Sequence, residues 1–362
     1  MAATIGILYT TALVDREQRN RALVRWWLYL VCLMVFAMIV VGGATRLTDS
    51  GLSITQWKPL LGFIPPLSQD DWLAEFAKYQ QIPEYQQINR DMSLLEFQFI
   101  YWWEWAHRFL GRMVGVVFIV PLVLLWARDR LESRLKLRLL LLLALGGLQG
   151  FIGWWMVVSG LTERVDVSQY RLAAHLTLAC IILAYALWIA RGLAPHSTNH
   201  AGLGLRVIAP CIVLALLVQI FIGALVAGLD AGLAFNDWPT MDGQLLPDDL
   251  LILEPIWRNF FENPKTVQFM HRLAGYGVSL LAAGQWLATR HAAGPHRLRA
   301  QVLLVLVLAQ ATLGILTLVW QVPLPLALVH QGAAAILLGF AVAHWRALHG
   351  VYSPRTMIEV RS

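Results

Sequence analysis

The stretch that decides the fold covers residues 98–115, QFIYWWEWAHRFLGRMVG. Glu104 and His107 are three residues apart, and Gly111 and Gly115 follow the histidine at steps of four. A helix therefore places all four residues on one face. The tryptophans just before the apolar run are typical of a helix that enters a lipid bilayer. The pattern predicts a membrane helix whose histidine stands above a groove of glycine, where a flat, iron-bearing ligand would fit.

The composition of the whole chain predicts an all-α polytopic membrane protein. Of its 362 residues, 58% are hydrophobic and only 14% are charged, whereas charged residues make up about a quarter of a soluble domain. The net charge of +6 is what cytoplasmic Lys and Arg produce in a membrane protein, so it does not indicate nucleic-acid binding. The three cysteines are far apart in the sequence and are interpreted as small buried residues.

Uncharged runs predict eight transmembrane helices, each long enough for a hydrocarbon core of ~30 Å. They cover residues 26–45, 104–127, 139–160, 170–190, 207–228 and 268–289, with two more within 300–345 on either side of Pro323 and Pro325. Lys and Arg are concentrated at the two ends of the chain and in every second turn, which predicts that the N- and C-termini are cytoplasmic. The long loops 46–98 and 230–267 carry most of the acidic residues and are expected to face outward.

The chain contains an internal repeat. The residues that recur at matching spacing are Gly42, Asp49 and Trp57 in one half and Gly223, Asp230 and Trp238 in the other. Further corresponding pairs are His107 and His271, Gln149 and Gln310, Gly153 and Gly314, and His175 and His330. The repeat predicts two pseudo-symmetric four-helix bundles, residues 1–195 and 196–362, related by an axis along the membrane normal.

Four of the ten histidines are expected within spans, at a similar depth: His107, His175, His271 and His330. An ionisable residue inside a span suggests a function, because burying it without a partner is expensive. Two facing imidazoles in a four-helix bundle suit haem iron, whereas zinc prefers three or four protein ligands. A structural hydrogen bond would explain one such histidine equally well, but four at repeat-related positions favour two haem sites. The other six, among them His344, are expected to be solvated near cytoplasmic turns.

Two arginines and one carboxylate lie beside these histidines. Arg108 and Arg272 directly follow two of them at the outward membrane edge, where a guanidinium could bind haem propionates; snorkelling to the interface would explain either arginine as well. Glu104 has Gln268 as its counterpart in the repeat. A carboxylate can transfer a proton and an amide cannot, so Glu104 would mark the reactive bundle. Alternatively, Glu104 only pairs with Arg108 or with a loop residue.

Five segments together resemble haem A synthase, most closely its alphaproteobacterial and mitochondrial branch. They are GGATRLTDSGLS (42–53), EWAHRFLGR (104–112), AGLDAGLAFNDWPTMDG (227–243), QFMHRLAGY (268–276) and LVHQ (328–331). The resemblance covers nearly the whole chain. Another branch of the family carries a cysteine pair in the first outer loop; this chain has none there, so a thiol-dependent step cannot be carried over to it.

The resemblance implies an enzyme that oxidises the C8 methyl group of haem O to a formyl group, giving haem A for cytochrome oxidase. It implies that haem O is held by His107 and His175 in the first half, and haem b by His271 and His330 in the second. In this interpretation Glu104 is catalytic. The glycines that follow the first histidine of each pair, Gly111, Gly115 and Gly275, would pack against the faces of the haems.

The resemblance also implies partners: haem O synthase as the donor of substrate, cytochrome oxidase assembly factors, and an electron-transfer partner that the sequence does not identify. Membrane lipid surrounds the spans, and the sequence leaves open whether the protein forms a homo-oligomer. The N-terminus lacks the Ser-rich character of a transit peptide, which favours a bacterial inner membrane over a mitochondrion.

Two other classes of function are compatible with parts of the sequence. A non-catalytic di-haem b electron carrier, linked to quinol, would explain the four histidines but not the replacement of Glu104 by Gln268. A transporter would predict helices broken at mid-membrane, whereas most glycines lie at the ends of spans or on the faces that carry the histidines.

Overall fold

The computed structural model describes residues 2–57, 61–162, 164–194, 202–291 and 295–349. Over these ranges the chain is all-helical, as predicted, and an isolated bridge between Met241 and Gln244 is the one β-type pairing. The eight long helices are α1 (Ala2–Leu47), α4 (Leu94–Ala127), α5 (Ser133–Val158), α6 (Gln169–Gly192), α7 (Leu203–Gly228), α9 (Pro264–Thr289), α10 (Pro295–Val319) and α11 (Leu324–Leu348). Three shorter helices are α2 (Gln69–Tyr79), α3 (Pro83–Gln87) and α8 (Asn259–Glu262).

Seven of the eight long helices in the described residues are long and apolar enough to cross a membrane. The exception is α9, whose 26 residues carry Gln268, His271, Arg272 and Gln285 along their length. These polar side chains lower its hydropathy below that of the other seven. The length of α9 still suffices for a core of ~30 Å, so the eighth span stays a prediction.

The second predicted span begins further outward than the sequence pattern indicates. Its helix, α4, starts at Leu94 rather than at Glu104. Ser93 caps it: the Ser93 hydroxyl accepts from the backbone N–H of Glu96 at 3.3 Å, and the Glu96 carboxylate accepts from the backbone N–H of Ser93 at 2.8 Å. The extra residues lengthen the helix outward by about 15 Å, and Glu104 therefore lies well inside it.

The loop 46–98, called the first outer loop after its predicted orientation, is a small helical cap on the N-terminal end of α4. The helices α2 and α3 lie in this loop, and Tyr79, at the end of α2, is completely buried. Its ring centroid lies 5.3 Å from that of Phe97 in α4. Leu52, Ile82 and Tyr101 complete the apolar cluster. The cap covers the part of α4 that holds Glu104.

The long helices pack in two sets. In the first helix group, α1 packs against α4 and α6, and α5 packs against α6 and α4. In the second helix group, α9 packs against α7 and α10, and α11 packs against α10 and α7. The groups meet where α6 contacts α7 and α11 and where α1 contacts α11. The predicted boundary at 195/196 lies outside the described residues, so the division into two bundles stays a prediction.

An ion pair links the two helix groups at the C-terminal ends of α1 and α7. Arg46, in the last turn of α1, donates to both carboxylate oxygens of Asp230 at 3.1 Å and to the carbonyl of Ala227 at 3.2 Å. It also binds Asp49 at 2.8 Å. The two aspartates, which correspond in the predicted repeat, both adopt a φ of 49°, a left-handed conformation that aspartate tolerates better than most residues. The local backbone is therefore alike at these two positions.

Candidate functional site

The first helix group brings two of the predicted histidines face to face. His107 projects from α4 and His175 from α6, and their ring centroids are 6.5 Å apart with an interplanar angle of 68°. A metal held between two imidazoles needs two metal–nitrogen bonds of about 2 Å each. These bonds, together with the distance from each nitrogen to the centre of its ring, account for the separation. The spacing therefore suits one metal atom between the two rings.

Each of the four histidine rings rests against a glycine of a neighbouring helix. A Cβ atom built on Gly42 in α1 would lie 2.9 Å from the His107 ring, and one on Gly153 in α5 would lie 2.8 Å from the His175 ring. In the second helix group the corresponding contacts are Gly223 to His271 at 2.9 Å and Gly314 to His330 at 2.8 Å. Carbon atoms prefer about 3.5–4.0 Å, so only glycine leaves each ring its present position.

The glycines that the sequence pattern predicts beside the haems are different ones. Gly111 and Gly115 lie on the same helix as His107, and the pattern predicts that they face a haem. A Cβ on Gly111 would make an ordinary 3.5 Å contact with Met38, and one on Gly115 would meet no atom within 4 Å. Gly275 makes the equivalent 3.5 Å contact with Gln219. Packing of these three glycines against a haem stays a prediction.

The second histidine of each pair is held by a glutamine from the preceding helix. The amide nitrogen of Gln149 donates to the carbonyl of His175 at 3.1 Å and lies 3.4 Å from its Nε2. The amide nitrogen of Gln310 donates to the carbonyl of His330 at 2.9 Å and lies 3.1 Å from its Nδ1. The two glutamines correspond in the predicted repeat and bind the backbone carbonyl of their histidines in the same way, but they approach different ring nitrogens.

Unpartnered polar atoms beside the rings fit a bound haem. His175 Nδ1 is buried without a hydrogen-bond partner in the described part of the chain, as are the amide oxygens of Gln149 and Gln310. Such atoms are costly to bury, and an iron ligand would use a free ring nitrogen. Nowhere in the described residues do three His, Cys, Asp or Glu side chains gather around a common point. Pairs suffice for haem iron, because the porphyrin supplies the other four nitrogens.

Glu104 lies in a closed hydrogen-bonding network. Its side chain is 3% exposed. Oε1 accepts from Arg108 Nε at 3.0 Å and from Nη2 at 2.6 Å, while Oε2 accepts from Ser53 Oγ and from the backbone N–H of Ile54, both at 2.7 Å. Four donors therefore satisfy both oxygens of the carboxyl group. This is the pairing with Arg108 and a loop that the structural alternative predicts, and it leaves the catalytic role of Glu104 a prediction.

The two arginines hold the outer loops onto the helices. Besides Glu104, Arg108 binds the carbonyls of Ile54 at 2.8 Å and Gln56 at 3.2 Å. These bonds use most of its five N–H groups. The contact of Arg108 with a haem propionate therefore stays a prediction, for which the structure leaves few free donors.

Arg272 takes the same place in the second helix group. It donates to the carbonyls of Thr240 at 2.7 Å and Phe235 at 3.1 Å, and to the amide oxygen of Gln268 at 3.0 Å. The amide nitrogen of Gln268 donates to the carbonyls of Ala231 and Phe235. Glu104 in the first helix group thus accepts hydrogen bonds from its loop, whereas Gln268 in the second group donates hydrogen bonds to its loop. The Nε of Arg272 is buried without a partner in the described residues, so one donor is free for a propionate.

The chain matches one protein family over most of its length. The COX15-CtaA family, described as "Cytochrome oxidase assembly protein", matches residues 25–342.

The chain belongs to this family.

Among its relatives is a protein named Heme A synthase from Mesorhizobium japonicum, 58% identical over 350 residues and covering 96% of both chains. A second Heme A synthase, from Chelativorans sp., is 58% identical over 354 residues, which is 97% of this chain and 98% of the relative. A third, from Rhizobium meliloti, is 54% identical over 351 residues and 96% of both chains. The resemblance identified from the five sequence segments is confirmed.

One of the histidines expected in solvent is buried, and that prediction is wrong. His344 is 2% exposed, and its Nε2 lies 2.7 Å from the amide nitrogen of Gln285, which is completely buried. The reason is that α11 continues to Leu348, so His344 still lies on the face that packs inward. Its spacing from the buried Ala341 and Leu348 follows the helical period, which is the signal that would have found it.

A cavity of about 450 Å³ opens between the first outer loop and α4. Tyr101, Trp105, Arg108 and Arg112 line it from the helix, with Pro65 and Pro66 on the loop side. The Arg112 guanidinium lies 5.3 Å from the ring centroid of Phe63. Arg108 and Arg112 give the cavity a cationic wall at the outward end of the helix that carries His107.

Proposed function

We propose that this protein makes haem A for cytochrome oxidase by oxidising the C8 methyl group of haem O to a formyl group. The observation that carries the proposal is the alignment of nearly the whole chain with relatives named Heme A synthase at 58% identity. The pair of facing histidines agrees with it, since a haem is the substrate that two imidazoles in an apolar bundle would hold.

The proposed architecture has eight spans in two pseudo-symmetric four-helix bundles, residues 1–195 and 196–362, with both termini in the cytoplasm. Two observations support it. The polar α9 packs between α7 and α10, where its His271 and Arg272 have protein neighbours instead of lipid. The glycine, glutamine and arginine contacts around the histidines also recur between the two helix groups. Relatives from bacteria favour the bacterial inner membrane as the location.

We assign substrate haem O to His107 and His175, and a resident haem b to His271 and His330. Haem b, when bound, supplies one-electron transfer between the reacting site and an outside partner. The assignment follows from the difference between Glu104 and Gln268, because the first helix group has a carboxyl group, which can take up a proton, where the second has an amide. His107 and His175 position the substrate, and the glycines behind them set how far the rings reach into the bundle.

Glu104 is the proposed proton acceptor of the reaction. Its carboxyl group is held by Arg108, Ser53 and Ile54, so it is preorganised and needs no rotamer change before a reaction. Conversion of a methyl group and one water molecule to a formyl group, in two successive oxidations, releases four protons and four electrons, and the electrons would leave through haem b to the outside partner. Glu104 would accept them at the outward side and pass them to the first outer loop.

Haem A formation in cells tests the proposed function. Membranes of a strain that makes haem O but no haem A should gain haem A when this chain is expressed, and should not gain it with His107→Ala. A di-haem b electron carrier would bind haem b and form no haem A in the same strain.

The proposed function also implies functional partners for this protein. Haem O synthase would supply haem O, and the cytochrome oxidase assembly machinery would receive haem A.

A further inference from the structure

The two helix groups differ at one position beside the first histidine of each pair. Gly111 and Gly275 each lie one turn after that histidine. A Cβ built on Gly111 would lie 3.5 Å from Cε of Met38, and one built on Gly275 would lie 3.5 Å from Nε2 of Gln219. The same backbone position is therefore covered by a thioether from α1 in the first group and by an amide from α7 in the second.

Gln219 binds the histidine that it covers. Its amide nitrogen donates to the carbonyl of His271 at 3.0 Å and lies 3.2 Å from Nδ1 and 3.3 Å from Nε2 of the ring. The bond to the His271 carbonyl fixes the amide nitrogen beside the edge of the ring, where it can donate to a ring nitrogen. A partner of this kind limits the rotation of the imidazole and so fixes its orientation.

Met38 cannot replace these bonds. A thioether has no hydrogen to donate and is only a weak acceptor, and the methionine side chain has three rotatable bonds that let it adapt to its surroundings. The second histidine of each pair is held by a matching glutamine, Gln149 or Gln310. Besides Glu104 against Gln268, the two sites thus differ in the side chain beside the glycine one turn after the first histidine, Met38 in the first group against Gln219 in the second.

We propose that this substitution sets how long each site keeps its haem: Met38 makes the first pair an exchanging site, and Gln219 makes the second pair a retaining site. The inference rests on the proposed function, in which haem O enters and haem A leaves the first pair in every turnover while haem b stays in the second. His107 lacks the hydrogen-bonding partner that His271 has in Gln219, so it releases its haem faster. In the second pair, the Gln219 amide helps His271 to retain haem b.

The test is the rate at which the purified full-length protein loses each haem to an excess of apomyoglobin. Haem b and haem O or A are separated by chromatography at each time point, so the two rates are read independently. Loss of an outer-shell partner of a metal ligand typically costs 10–100-fold in affinity. Met38→Gln is therefore expected to slow the loss of haem O and haem A about 10–100-fold, and Gln219→Met to speed the loss of haem b by a similar factor.

Met34→Gln is the matched control. It places the same amide on α1, one turn and about 6 Å from residue 38, and is expected to leave both rates unchanged. Slower release in Met38→Gln cannot come from damage to the fold, because damage would speed the loss of both haems. Unchanged release in Met38→Gln, or equal slowing in Met34→Gln, would overturn the inference.

The same experiment separates failure of the inference from failure of the proposed function. If the wild-type protein contains only haem b, the assignment of haem O to the first pair is wrong, whatever the rates. Repeating the measurements with His107→Ala or His271→Ala leaves one site in each protein. Met38→Gln must then slow haem release in His271→Ala, which keeps the first pair, and Gln219→Met must speed haem release in His107→Ala, which keeps the second. The opposite result, or no change, refutes the inference and leaves the proposed function untouched.

Discussion

Replacing Gly153 with alanine should displace the imidazole of His175 from its place opposite His107. A Cβ built on Gly153 lies 2.8 Å from Cε1 and 3.4 Å from Nδ1 of that ring. Carbon atoms in contact prefer about 3.5–4.0 Å, so either the ring or the backbone of α5 must move by about 1 Å. Misplacement by about 1 Å costs on the order of 100-fold in rate. We therefore expect Gly153→Ala to lower haem A formation about 100-fold.

Gly150→Ala, on the same helix, is the matched control. Gly150 is exposed, and a Cβ there would meet no atom within 4 Å. Alanine is favoured over glycine in a helix by about 1 kcal/mol, so neither variant should be destabilised through its backbone. Both full-length proteins are expressed in cells that make haem O, and the ratio of haem A to haem O is measured together with the visible absorption spectrum of the bound haem.

The control variant should match the wild-type protein in both measurements. A wild-type ratio and spectrum in Gly153→Ala would refute the argument that the ring is seated against α5. Equal losses in the two variants would also refute it, because the effect would then come from the insertion of α5 and not from the contact with His175.

Three further predictions follow from the outer part of the molecule. Glu104→Gln should keep the haems bound and abolish haem A formation, measured by haem extraction; full activity would remove Glu104 from the mechanism. Burial, with the negative charges of Asp49 and Glu104, raises the pKa of Glu84 from 4.5 to about 8, so the folded cap keeps a proton that the unfolded chain releases. The stability of the cap should therefore fall as the pH rises from 4.5 through 8, and proteolysis of the outer loop should become faster over this range. Glu84→Gln should remove this pH dependence; a variant with the same pH profile as the wild-type protein would contradict the prediction. Arg46→Met should cost about 1 kcal/mol or less of stability, since Asp230 is half-exposed, and a large drop in the thermal midpoint would contradict this.

Seven of the membrane helices and the approach of His107 to His175 could be predicted because both depend on patterns that repeat along the chain. A run of uncharged residues has few alternatives to a span, and seven of the eight predicted helices have the required length and hydropathy. The pairing of His107 with His175 followed from their repeat-related counterparts. Hydropathy does not identify α9 as a span, because hydropathy measures suitability for contact with lipid. The polar side chains of α9 contact protein instead.

The parts that sequence reasoning missed depend on contacts between distant segments. The contacts of Gly42 with His107 and of Gly153 with His175 could not be predicted from the sequence, where the two glycines appear only as repeated positions. Which helix a glycine faces depends on the angles at which the helices pack. The cap formed by α2 and α3 looked like a polar loop, since its buried Tyr79 lies among charged residues. The network around Glu104 depends on Ser53 and Ile54, which are about fifty positions earlier in the chain, and no local pattern connects them.

The haem content of the purified protein, extracted and separated by type, distinguishes a haem A synthase from an electron carrier. The wild-type protein should contain one haem b together with haem O or haem A. Replacing His107 or His175 should leave haem b alone, and replacing His271 or His330 should remove haem b. Two equivalents of haem b and no haem O or haem A, in cells that make haem O, would contradict the account and favour an electron carrier.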